Sequence, residues 1–94
     1  MPYYVYIMTN KTRGVLYTGY TQGLAKRIEQ HRTAETDTFV TRYNLFKLAH
    51  FETFSDITEA KTREARVKRW RREWKIALVE EQNPAWRDLT ASLS

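Results

Sequence analysis

Two tyrosine-bearing segments near the start of the chain, Tyr4-Val5-Tyr6 and Tyr17-Thr18-Gly19, do most to limit what it can fold into. Each lies in a short run rich in β-branched and aromatic residues, from Tyr3 to Met8 and from Val15 to Gly19. Such runs favour strands. Thr9 to Gly14 between them is turn-forming, so the two runs are expected to pair as an antiparallel hairpin. Period-two geometry puts Tyr4, Tyr6 and Met8 on one face of the first strand and Val15, Tyr17 and Gly19 on one face of the second. A hairpin symmetric about Lys11-Thr12 sets Tyr6 directly opposite Tyr17, two phenols within cross-strand reach.

The rest of the chain alternates helix and strand patterns. Thr21 is placed to cap a helix over Gln22 to Arg32, whose core-facing stripe is Leu24, Arg27, Ile28 and His31. Thr33 to Tyr43 is polar and reads as a loop, and Leu45 to Phe54 reads as a third strand. Asp56, with Glu59 three residues on, resembles a capping box for a long helix from Ile57 into the Val79 region, with a break expected near Arg71 to Trp74. The apolar positions of that segment include Ile57, Ala60, Val67, Trp74, Ala77 and Leu78. Stepping from Ala60 to Val67 by three or four lands on Glu64. A carboxylate in an apolar stripe costs free energy unless a partner or a cation meets it. Asn83-Pro84 ends the helical region, and Trp86 and Leu89 are expected to fold the tail back on the core.

With 94 residues, one small domain spanning residues 1–94 is expected, an α/β (α+β) fold with a small, mainly antiparallel three-stranded sheet flanked by helices. The chain has no cysteine, which excludes disulfides and thiolate metal sites. No run is long and apolar enough for a membrane span and no signal-peptide pattern opens the chain, so a cytoplasmic location is expected.

The net charge of +5 is concentrated. From Lys61 to Lys75 there are eight basic residues against two acids, Glu64 and Glu73. That local excess makes a polyanion the first partner to consider.

Taken together, these residues resemble the GIY-YIG nuclease domain. Tyr4-Val5-Tyr6 stands where that family has its first triplet and Tyr17-Thr18-Gly19 where it has its second, with Tyr4 in place of a glycine and Thr18 in place of an isoleucine. Arg27, His31, Glu64 and a late asparagine, Asn83, follow in the family's order. The Asn83-Pro84-Ala85-Trp86 segment is similar to one in the family's small stand-alone branch. The resemblance implies a metal-dependent endonuclease acting on DNA. No separate DNA-recognition domain is visible, so cleavage directed by structure or damage is expected rather than by sequence.

Phosphodiester hydrolysis then assigns roles. Glu64 is the expected ligand of one Mg²⁺ or Mn²⁺, a hard ion commonly held by one carboxylate plus waters and phosphate oxygens. Arg27 suits the scissile phosphate, because its planar fork keeps its charge. Tyr6 is a candidate general base with Tyr17 orienting water or phosphate, and His31 is an alternative base or proton relay; the three stay open. The resemblance implies that Asn83 positions the Glu64 helix or a phosphate. Lys68, Arg71 and Lys75, spaced along one helix, and Lys26 and Arg32 on the earlier one, are the expected phosphate contacts. A non-catalytic nucleic-acid-binding module of the same fold, or a basic domain that meets an acidic protein, uses the same charge.

Overall fold

The computed structural model describes residues 2–33 and 42–93. Strands β1 (Tyr3–Thr9), β2 (Leu16–Thr21) and β3 (Lys47–Phe54) form an antiparallel sheet in the order β2-β1-β3. Helix α1 (Leu24–Arg32) follows β2, and helices α2 (Ile57–Arg69) and α3 (Arg72–Gln82) follow β3. A 3₁₀ turn (Leu89–Leu93) closes the chain.

Central β1 is buried from Val5 to Thr9 because both its faces are covered. Tyr6 and Met8 pack with Leu24 and Ile28 of α1 and with Leu48 of β3. On the opposite face Ile7 and Ala49 pack with Val67 of α2, Val79 of α3 and Trp86. The period-two reading therefore separates two hydrophobic cores rather than one core and one wet face.

The hairpin register differs from the symmetric expectation. Tyr6 pairs with Gly19, and Tyr17 pairs with Met8. The cause is a turn centred one residue later: Asn10 Oδ1 accepts the Val15 N–H at 3.0 Å, and Gly14 N–H bonds the Lys11 carbonyl at 2.9 Å. A Cβ at Gly14 would collide with that Asn10 oxygen, so this turn requires glycine. The partner moves by two residues, so Tyr6 and Tyr17 still share a face as diagonal neighbours.

Helix α1 is shorter than expected. The Thr21 hydroxyl accepts the Gly23 N–H at 3.2 Å, and Gly23, not Thr21, is the N-cap. The Asp56 carboxylate caps α2 by accepting the Thr58 N–H at 3.0 Å. The expected break falls at Trp70 and Arg71, both extended at ψ near 150° (152° and 151°). It resets the helical phase. Val79 is buried, whereas Trp74, at 52% exposure, and Ala77 lie on the wet side. The polar segment read as a loop lies mostly outside the described residues, at positions 34–41.

The tail wraps the free edge of β3. Trp86 fills one core and Leu89 packs against the other. Asn83 Nδ2 donates to the Ala49 carbonyl at 2.9 Å, and Asp88 Oδ1 accepts the Leu48 N–H at 3.2 Å. Side chains thus occupy backbone groups that an edge strand would leave open.

Thr18 carries a buried hydroxyl with no hydrogen-bond partner among the described residues. Replacing it with isosteric valine removes an unsatisfied polar group. Thr18→Val is expected to stabilise the fold by about 1 kcal/mol, read as a rise in Tm of roughly 4–8 °C.

Candidate active site

The expected site residues gather at β2, the edge strand on the other side of the sheet. Tyr6 is fully buried on β1, and its ring crosses toward Gly19. A Cβ at position 19 would stand 2.7 Å from the Tyr6 hydroxyl, so the second triplet's glycine makes the space this phenol occupies. Tyr17 lies diagonally beside it, with ring centroids 6.4 Å apart. His31, buried on α1, presents an edge to both rings at 6.0 and 5.7 Å. Gly19→Ala is expected to displace Tyr6, lower stability by about 1–3 kcal/mol and impair any chemistry at this edge. Thermal unfolding and near-ultraviolet tyrosine dichroism check it.

Helices α1 and α2 lie over opposite faces, and both pass β2. From α1, Arg27 brings its guanidinium within electrostatic reach of the Tyr6 hydroxyl. From α2, between buried Ala60 and Val67, Glu64 brings a carboxylate whose side chain is 15% exposed. The Tyr6 hydroxyl registers all of these neighbours. Burial raises its pKa first and Tyr17 adds to this; Arg27 pulls it down and Glu64 pushes it up, with a net rise to about 12. Its oxygen has no well-formed hydrogen bond among the described residues. With burial raising it, the Tyr6 hydroxyl is suited to donate a hydrogen bond at neutral pH.

Arg27 also walls an open cleft of about 480 Å³ with Tyr3, Tyr20, Gln22 and Ile57. Tyr20, with Lys61 6.0 Å above its ring, is a residue the sequence reading left out although it directly follows the second triplet.

The remaining candidates separate. Asn83 is 4% exposed and spends its side chain on backbone, bonding the carbonyls of Ala49 and Arg87 and the Arg87 N–H. It holds α3, β3 and the tail together and presents nothing to a phosphate. Arg32 likewise has other work: it binds Asp88 at 2.6 Å, Thr90 at 3.0 Å and the Phe46 carbonyl at 3.1 Å. Lys26 and Arg71 are exposed. Lys68 pairs with Glu64 at 3.1 Å. The Lys75 ammonium is depressed by burial and by the nearby charges of Arg72 and Lys68, so the three cations crowd one area.

The donor set fits a hard cation. Glu64 already draws the Lys68 ammonium to its Oε2. Among the described residues no three His, Cys, Asp or Glu side chains converge; Glu64 is a single carboxylate, a donor number that Mg²⁺ and Mn²⁺ accept where water and phosphate oxygens complete the shell.

Compared with known proteins, residues 2–77 match the model of the GIY-YIG catalytic domain. The chain belongs to the GIY-YIG family. It is 35% identical over 79 residues to a UPF0213 protein of Haloquadratum walsbyi, covering 84% of this chain and 88% of that one. It is 37% identical over 76 residues to a UPF0213 protein of Clostridium perfringens, covering 81% of each. The solution NMR structure of a UPF0213 protein from Bacillus halodurans superposes with a TM-score of 0.59 at 30% identity, covering 96% of this chain and 95% of that one. GIY-YIG domains are nuclease domains, so nucleic acid is the substrate class the family implies. The first triplet lies on β1 and the second on β2, which puts the family's signature at the hairpin that carries the site.

Proposed function

We propose that this chain is a divalent-metal-dependent endonuclease that hydrolyses DNA phosphodiester bonds, directed by structure or damage rather than by sequence. The observation that carries this reading is the single hydroxyl of Tyr6, which lies within electrostatic reach of Tyr17, Arg27 and Glu64 together.

Glu64 would hold the ion. When bound, Mg²⁺ or Mn²⁺ supplies charge neutralisation at the phosphate and at the leaving 3′ oxygen. Arg27 holds the scissile phosphate with a fork that cannot lose its proton. Tyr6 keeps its proton and donates a hydrogen bond toward the phosphate or the attacking water. Tyr17, less buried than Tyr6, takes a proton from water as its own hydroxyl proton passes to His31, whose ring centroid lies 5.7 Å away; buried as it is, His31 acts through Tyr17. Lys26, Lys68, Arg71 and Lys75 supply phosphate contacts without base readout. Asn83 is a positioning residue. Residues 1–94 act as one nuclease unit, in the cytoplasm. Among the described residues no helix is long and apolar enough to cross a membrane.

The test is a panel of nicked, branched and single-stranded DNAs incubated with Mg²⁺ or Mn²⁺, with and without EDTA. Cleavage of at least one substrate, abolished by EDTA, is expected. Intact DNA throughout the panel reduces the protein to a binding module.

A further inference from the structure

Trp74 is the most exposed large apolar side chain among the described residues, at 52%. It is also held in place. The Trp70 ring meets it edge-on at 6.2 Å and 78°. Trp70 lies under the Arg63 guanidinium at 5.0 Å, and Arg63 is fixed to Glu52 of β3 by two hydrogen bonds of 2.8 and 3.0 Å. On the outer side the Arg71 guanidinium lies 5.8 Å from the Trp74 centroid. The result is two indoles in edge contact between two guanidinium groups, Arg63 anchored to the sheet and Arg71 at the surface.

The break between α2 and α3 is part of this arrangement. Extended backbone at Trp70 and Arg71 places both beside the first turn of α3, where Trp74 sits. Arg66, Arg69 and Arg71 make no ion pair with any described residue. An exposed indole beside the Arg71 guanidinium, which makes no ion pair with any described residue, suits a flat, anionic partner.

We propose that Trp74 and Arg71 form a stacking platform for unpaired bases of a nucleic-acid strand, outside the catalytic edge. This rests on the nucleic-acid part of the function proposed above. Every base offers a π-face to an indole, whereas a paired and stacked base does not, so the platform selects single-stranded segments without reading sequence. Arginine adds cation–π attraction to the same faces. A line of charge runs from the site toward the platform's helix: Lys68 pairs with Glu64, and Lys68 and Arg72 both act on Lys75, which follows Trp74 in sequence. A strand cut at Glu64 can therefore run along this line and stack its unpaired end on Trp74. An acidic peptide fits the charge but offers no planar faces for the indole.

The test uses the full chain with Glu64→Gln and EDTA, so that cleavage plays no part, and reads tryptophan fluorescence and anisotropy with oligothymidylate. Trp86 is fully buried and Trp70 partly so, while Trp74 is 52% exposed, so Trp74 should dominate the quenching. Trp74→Ala is expected to lose most of the quenching and to bind the single strand about tenfold more weakly, while Trp74→Phe keeps most of the affinity and duplex binding changes less than about twofold. Trp74→Ala binding the single strand as tightly as the parent overturns the proposal. So does an equal loss on duplex, or equal quenching by polyglutamate, which would point to an acidic protein partner. Trp74-dependent binding together with a wild type that cleaves nothing leaves the platform standing and sinks only the nuclease reading. Cleavage by the wild type without Trp74-dependent binding does the reverse.

Discussion

Glu64→Gln is expected to lower DNA cleavage by about three orders of magnitude while leaving the fold and DNA binding intact. The substitution keeps shape and removes one charge. Among the described residues that charge forms an ion pair with Lys68, four residues along the same helix, at 3.1 Å. A pair of this kind contributes little, so stability should change by less than about 1 kcal/mol. Affinity for DNA should hold or rise slightly, since Lys68 is released and one negative charge near the phosphates is gone. The loss then falls on the chemical step alone. Single-turnover nicking, thermal unfolding and anisotropy titration measure the three quantities separately. Loss of binding in parallel with cleavage would mean that the glutamate holds the structure, not an ion.

Glu52→Gln carries the largest expected effect on stability. Burial by itself would raise the Glu52 pKa, but hydrogen bonds from His50 and Arg63, with the Arg63 charge, outweigh it and lower it from 4.5 to about 2. A depressed carboxyl contributes stability that is complete above its unfolded pKa, near 4.5, and is lost as pH falls toward 2. The shift corresponds to about 3 kcal/mol, and the side chain is only 21% exposed, so solvent screens little of it. At pH 7 the variant should unfold more than about 10 °C below the wild type. The gap should narrow below pH 4.5 and close near pH 2. Parallel stability curves across that window would show that the His50–Glu52–Arg63 network is not the source. The same variant frees Arg63 from the sheet and loosens the edge-on Trp70–Trp74 pair resting on it.

Much of this arrangement was legible in the chain because it is local. The hairpin, the Asp56 cap, the helix break and the inward Glu64 each follow from periodicity or from turn chemistry within a few residues. What escaped depends on distant partners. Basic residues can be counted from sequence, but Arg32 is committed to Asp88, 56 residues away, and no periodicity signals that. The resemblance implies that Asn83 positions the Glu64 helix or a phosphate, and its three backbone bonds to β3 and the tail exist only once those segments meet. The hairpin register failed for a subtler reason. Length alone favours a symmetric turn, whereas Asn10 and Gly14 build one centred a residue later, so Gly19, not Tyr17, stands opposite Tyr6. Parity survived the shift, and the two phenols still share a face. Trp74 reads as one more apolar helix position until the break rotates it into water.

The central claim is geometric: an ion held by Glu64 sits beside Tyr6, Tyr17 and Arg27. Substoichiometric Mn²⁺ added to isotopically labelled protein tests it, because a paramagnetic ion broadens the resonances nearest to it. The account predicts that the signals of Tyr6, Tyr17, Arg27 and Glu64 weaken first, and that Glu64→Gln abolishes the effect. Broadening centred elsewhere, or unchanged by Glu64→Gln, would contradict it.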